Sequence, residues 1–165
     1  MMITLTGFMG SGKSTVGACV ADALDCLFLD LDDLIVKKAG KSIPDIFAQD
    51  GEAAFRSLEA RLLRQTVEKY AESTMVLALG GGAVTTPASA SLLHEKTVCI
   101  YLRASLDTLL QRLEGETAGR PLADSSLAVR LAERAPLYEK TAHVVIDTDG
   151  LTPDEVADEI IISSL

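Results

Sequence analysis

The chain has 165 residues, 48% of them hydrophobic, and a formal net charge of −9. That length suits a single domain, and that apolar content suits a packed core rather than a disordered chain. The acidic balance repels phosphodiester backbones and anionic lipid surfaces, so neither nucleic acid nor membrane is expected as a partner.

In chain order, Ile3–Thr6 reads as a buried strand, and Gly7-Phe8-Met9-Gly10-Ser11-Gly12-Lys13-Ser14-Thr15 follows it. This stretch fits G-x-x-x-x-G-K-[ST], and the run from Val16 to Leu24 reads as the helix that such a loop must open. Glycines let the backbone aim several N–H groups at one anion, and the positive end of the helix adds to that field. Gly10, Ser11, Gly12, Lys13, Ser14 and Thr15 are therefore expected to bind a nucleotide. Lys13 reaches the outer phosphates and the Ser14 hydroxyl ligates Mg²⁺.

A second strand, Leu27–Asp30, leads into Asp30-Leu31-Asp32-Asp33. In an extended stretch Asp30 and Asp32 share a side, which suits metal and hydroxyl chemistry beside a phosphate loop. The same residues also suit a solvated turn or a helix cap. Ser42 and Asp45 mark a helix start, Gly51 a break, and Glu52 to Tyr70 a long amphipathic helix. Arg56 and Glu59 sit three apart on it; spacing alone favours an ordinary surface ion pair.

The third strand, Met75–Leu79, ends on Gly80-Gly81-Gly82. These glycines allow a ligand to touch backbone, or they form a merely flexible loop. Thr86-Pro87 reads as a cap and first helical residue, with the helix running to His94. After the fourth strand, Val98–Leu102, Ser105 caps a helix over Leu106–Leu113. Residues 113–125 are polar, hold two glycines and Arg120, and have the pattern either of a lid that closes on a phosphoryl group or of a plain helix connection. A helix carrying Arg130 and Arg134 is expected to end or kink at Pro136. The fifth strand, Val144–Ile146, precedes a capping box at Thr152 and Glu155. Neither His94 nor His143 joins a recognisable catalytic cluster, and His143 has no evident partner.

Continuous apolar strands alternating with helices predict an α/β fold with a parallel sheet covered on both faces, its ligands at the strand C-termini. The three cysteines, Cys19, Cys26 and Cys99, are odd in number and lack metal-ligand spacing, so they read as reduced thiols of a cytoplasmic protein. The chain starts directly on a strand, without a signal-type leader.

With these pieces assembled, nearly the whole chain resembles shikimate kinase. The matching stretches are Gly7–Thr15, L-D-L-D at Leu29–Asp32, S-I-P-D-I-F at Ser42–Phe47 and G-E-x-x-F-R-x-x-E at Gly51–Glu59. They continue with L-G-G-G-A-V at Leu79–Val84, R-P-L at Arg120–Leu122 and R-x-P-L-Y at Arg134–Tyr138. The phosphate loop is widespread, whereas the rest of this set in this order is far more specific.

The resemblance implies a fold of the nucleoside-monophosphate-kinase type: a five-stranded parallel sheet, a substrate-binding segment over about 32–60 and a lid over about 113–125. It implies transfer of a phosphoryl group from ATP, with Mg²⁺, to the 3-hydroxyl of shikimate. By matched motif, Asp32 holds the acceptor hydroxyls, Arg56 and Arg134 grip the carboxylate, and the Gly80, Gly81 and Gly82 backbone contacts the substrate, Gly81 most directly. Asp30 holds Mg²⁺ through water, Ser14 ligates it, Glu59 orients Arg56, and Lys13 and Arg120 neutralise the ATP phosphates. Two departures stand out: Ile35-Val36-Lys37 replaces a Glu that the family often carries, and the loop near 147–153 lacks an Arg that some members place there. Gluconate kinase and a non-catalytic ATP-binding module are the rival readings, and a monomer is expected.

Overall fold

The computed structural model describes residues 1–116 and 125–164. Five strands, β1 (Met2–Thr6), β2 (Leu27–Asp30), β3 (Met75–Ala78), β4 (Val98–Arg103) and β5 (Val144–Asp147), form one parallel sheet in the order β2-β3-β1-β4-β5. The helices are α1 (Lys13–Ala23), α2 (Leu31–Ala39), α3 (Ile43–Asp50), α4 (Glu52–Lys69), α5 (Pro87–Lys96), α6 (Leu106–Glu116), α7 (Ser125–Thr141) and α8 (Pro153–Ser164).

Strand side chains alternate between the two faces, and the sequence supplies apolar groups for both. Ile3, Leu5, Val76, Ile100 and Leu102 pack with Val16 and Val20 of α1 and Val156 and Ile160 of α8. On the other face Met2, Met75, Leu77, Cys99 and Tyr101 pack with Leu31 and Ile35 of α2, Phe55 and Leu63 of α4, Leu93 of α5 and Tyr138 of α7. Full burial of one such side chain contributes roughly 1.5–3 kcal/mol, so two faces of them fix the sheet firmly. Helix α1 approaches β2 so closely that a Cβ on Gly17 would lie 2.6 Å from Phe28 Cε2.

The expected caps are present in most places. Ser42 Oγ accepts from Asp45 N at 3.2 Å, Ser105 Oγ accepts from Thr108 N at 3.2 Å, and Thr152 and Glu155 bond each other reciprocally at 3.2 and 3.3 Å. Thr86 takes the cap position of α5, but its side chain makes no capping bond; Pro87 provides the start instead. Pro136 does not end its helix. Helix α7 runs through it because Leu127 before it and Tyr138 after it are both buried in the core. His143, for which no partner was evident, has two: its Nδ1 accepts from Cys99 N at 3.0 Å, and its Nε2 meets the His94 carbonyl at 2.9 Å. The two imidazoles stack with centroids 4.6 Å apart, so this pair fastens the end of α5 to the sheet.

Candidate functional site

The C-terminal ends of β1, β2 and β3 open into a cavity of about 220 Å³. Its lining comprises Gly10, Gly12, Lys13, Ser14 and Thr15 from the first loop, Asp30 and Asp32 from the second, and Gly80 and Gly81 from the third. Larger cavities lie between α2 and α4 and between α5 and α7. Neither is lined by a glycine-rich loop, so size does not locate the site.

The first loop holds its shape through backbone that only glycine adopts readily. Gly12 has φ +92°, and Gly7, at φ +148°, leaves no room for a side chain, since a Cβ there would lie 2.7 Å from the Leu102 carbonyl oxygen. The Lys13 ammonium donates to the Gly7 and Phe8 carbonyls at 2.7 and 3.0 Å, lying back along the loop it serves. Burial draws its pKa down from 10.5 to about 8, against the opposing pull of the Asp32 and Asp30 carboxylates; Arg134 adds to the lowering.

Asp30 and Asp32 reach the cavity by a route other than an extended strand. The strand ends at Asp30, and Asp30 caps α2 by accepting from Asp32 N at 2.9 Å. Asp30 is therefore a helix cap that also lines the cavity. The other Asp30 oxygen accepts from the Ser14 hydroxyl, which draws together the two groups expected to meet Mg²⁺. Asp32, in the first turn of α2, has its carboxyl pKa raised, chiefly by burial and then by Asp30, with Lys13 opposing.

Arg56 and Glu59 do not form the surface ion pair that their spacing suggests. Glu59 is 1% exposed and accepts from Arg56 Nη1 at 2.9 Å. Its pKa is raised by burial despite Arg56. The guanidinium also lies over the Phe55 ring, 5.1 Å from its centroid. It presses against the glycine turn: a Cβ on Gly82 would lie 2.7 Å from the Arg56 Cζ. One on Gly81 would lie 3.6 Å from Arg134 Nη1, and one on Gly80 would lie 2.9 Å from Asp32 Oδ1. The three glycines thus let two cations and a carboxylate converge on one stretch of backbone. Arg120 and the middle of the expected lid, 117–124, lie outside the described residues.

Arg112 was missed. Its Nη1 lies 3.4 and 3.3 Å from the Gly10 and Ser11 carbonyls and 3.3 Å from Thr148 Oγ1, and its Nη2 lies 3.3 Å from the Thr148 carbonyl. It ties the first loop to the turn after β5, the turn that lacks an Arg of its own. In sequence it is one cation on a helix, with nothing to separate it from a solvated one.

A nucleotide-type loop at one end of a parallel sheet, facing a carboxylate and two arginines, defines a P-loop kinase of a small acidic acceptor. The comparisons narrow the class. The shikimate kinase family model matches residues 9–164. A shikimate kinase of Salinibacter ruber is 44% identical across 90% of this chain and 78% of its own, and one of Enterococcus faecalis is 42% identical across 96% and 95%. The structure of the Acinetobacter baumannii shikimate kinase in complex with shikimate superposes with a TM-score of 0.86, at 34% identity, over 97% of this chain and 90% of that one. The chain belongs to the shikimate kinase family. It is an ATP-dependent phosphotransferase acting on shikimate, and the rival readings as gluconate kinase or binding module are set aside.

The Lys13 pKa has a consequence for nucleotide binding. A polyphosphate bound beside the ammonium would stabilise it, and its pKa in that complex would lie above the value of about 8 in the free site. The favourable contribution is fully present below about pH 8, and above it affinity falls roughly tenfold per pH unit until the bound pKa is passed. Calorimetric titration with Mg²⁺-ATP in buffers of different ionisation enthalpy should show proton uptake at pH 9, up to about one proton per site, that exceeds any at pH 7.5. Equal affinity at both pH values with no uptake at pH 9 would contradict it.

Proposed function

We propose that the cavity at the ends of β1, β2 and β3 is where this kinase transfers the γ-phosphoryl group of ATP to the 3-hydroxyl of shikimate, with the roles divided as follows. The observation that carries this assignment is the convergence of Arg56, Arg134 and Asp32 on the Gly80–Gly82 backbone beside the Lys13 loop. Shikimate is a hydroxylated carboxylate. Planar guanidinium groups suit its carboxylate and the Asp32 oxygens suit its hydroxyls. The acceptor oxygen is thereby held in line with the γ-phosphorus, and alignment is most of what this reaction asks.

Asp32 serves first to position the hydroxyl. The upward shift of its pKa also suits it to receive the hydroxyl proton as the new P–O bond forms and the bond to the ADP oxygen breaks. Lys13 leaves the loop carbonyls for the phosphates, and Arg120 takes the lid position over them. Charge in the transition state is then met from both sides.

Among the described residues no three acidic, His or Cys side chains gather as a ready-made metal site. That fits Mg²⁺, which keeps several waters and takes one or two protein oxygens plus phosphate oxygens. Ser14 Oγ and the Asp30 carboxylate, already in contact, are the pair to hold it, Asp30 through water. When bound, the ion would offset the charge of the phosphate groups held beside these residues.

The chain is proposed to act as a single cytoplasmic domain and a monomer, with 32–60 as the acceptor segment and 113–125 as the lid. All three cysteines are free. Among the described residues no helix is long and apolar enough to cross a membrane. Among the described residues the large exposed apolar side chains, such as Leu27, Phe47, Val129 and Ile162, are scattered over six elements. The test of substrate is ADP release from Mg²⁺-ATP with shikimate, gluconate or a nucleoside monophosphate. Stimulation by shikimate alone is expected; stimulation by gluconate instead would overturn the acceptor assignment.

A further inference from the structure

The R-x-P-L-Y stretch ends on Tyr138, a residue to which the site as described gives no task. Tyr138 is fully buried, and its hydroxyl donates to the Gly81 carbonyl. Its ring packs on Tyr101 with centroids 5.0 Å apart, and Tyr101 pairs in register with Thr6, the residue before the phosphate loop. Burial raises the Tyr138 pKa to about 12, so the phenol stays protonated and keeps its donor.

The rest of the glycine turn shows why this bond matters. The Gly80 carbonyl accepts from Ala83 N at 3.2 Å, and the Gly82 carbonyl accepts from Thr85 N at 3.0 Å and from Thr85 Oγ1 at 2.6 Å. All three carbonyls of the turn are therefore engaged. Among the described residues none of its three amide N–H groups has a protein acceptor. The turn offers donors and no acceptors, as an anionic ligand requires.

A peptide unit is planar and trans, so its C=O and N–H point in opposite directions. Holding the Gly81 carbonyl toward Tyr138 turns the Gly82 N–H away from it, and Gly82 is the glycine that abuts Arg56. Glycine at both positions would let this peptide rotate without such a tether. Arg134 lies one helical turn before Tyr138, so α7 supplies both a guanidinium beside Gly81 and the tether on its carbonyl.

We propose that Tyr138 is a positioning residue for the acceptor: its hydroxyl fixes the Gly81–Gly82 peptide so that the Gly82 amide joins Arg56 and Arg134 in binding the carboxylate. The proposal rests on the assignment of the Gly80–Gly82 turn and Arg134 to shikimate. It adds a determinant that makes no contact with the substrate itself.

The test compares Tyr138→Phe and Arg134→Ala with the unaltered enzyme, measuring KM for shikimate, KM for ATP and direct ATP binding. Phe keeps the ring and its packing on Tyr101 and removes the hydroxyl, with both the bond donated to Gly81 and the one shared with the Arg134 side chain. Tyr138→Phe is expected to raise the shikimate KM roughly tenfold, the scale of one buried hydrogen bond, with ATP KM and ATP binding within about twofold. An unchanged shikimate KM overturns the proposal. A variant whose shikimate and ATP affinities fall together overturns it too, because Tyr138 would then merely support the fold. If Arg134→Ala leaves the shikimate KM unchanged, the acceptor assignment fails and the proposal with it. If Arg134→Ala weakens shikimate while Tyr138→Phe does not, the role of Tyr138 alone fails.

Discussion

Lys13→Met should lower kcat by at least about a thousandfold while leaving the protein folded and as stable as before or more so. The activity loss follows from charge. Removing a cation that neutralises the transferring group costs on the order of 10²–10⁵ in related phosphoryl and oxyanion chemistry. The stability gain follows from burial. Lys13 sits where its pKa falls from 10.5 to about 8, so folding strains its charged form. A lowered folded pKa means that the unfolded chain binds the extra proton more readily. That penalty is fully present below about pH 8 and fades as pH rises toward 10.5. Met lacks the charge and has good helix propensity at the start of α1, although it forfeits the bonds to the Gly7 and Phe8 carbonyls. The melting temperature at pH 7 and a coupled assay of ADP release check both halves. Retained turnover would remove Lys13 from the reaction.

Arg56→Ala should act twice, and the two effects can be separated. Shikimate affinity should fall by roughly two orders of magnitude, the cost of removing one member of a desolvated charge pair. The protein should also lose about 3 kcal/mol of stability at neutral pH, since Glu59 is left buried without its partner. The Glu59 pKa is already raised by burial and rises further without Arg56. A raised folded pKa leaves the protonated carboxyl unpenalised. The stability loss should therefore shrink as pH falls toward 4.5, the ordinary carboxyl value, and reach its full size above the folded pKa. Adding Glu59→Gln removes the stranded charge. The double variant should regain much of the stability and none of the shikimate affinity. Denaturation curves and equilibrium titration with shikimate decide it; recovery of both together would mean that Arg56 only supports the fold.

How much of this was legible in the chain depends on the range of the interaction. The Gly7–Thr15 loop, the strand runs and the caps at Ser42, Ser105 and Thr152 are local, each set by residues within a few positions of one another. They appear where the pattern places them. The failures are just as instructive. Pro136 reads as a helix end or kink because its cost is local, and only the end is overturned: the buried Tyr138 that carries α7 past it answers to Tyr101 and the sheet. Arg56 and Glu59 read as a surface pair because i,i+3 spacing says nothing about what covers it. Arg112 and His143 gave no signal at all, since their partners, Thr148 with the loop carbonyls and Cys99 with His94, lie far away in sequence.

By itself, then, the sequence determined the alternation of strands and helices, the anion-binding loop and the order of motifs that marks the family, because periodicity, capping and glycine conformation are properties of neighbouring residues. Only the tertiary structure decided which cations are buried, which carbonyls are held and which amides stay open for a ligand. Those depend on the ends of β1, β2 and β3 meeting at one edge of the sheet, where burial created by distant parts of the chain lowers the pKa of Lys13 and raises those of Asp32 and Glu59.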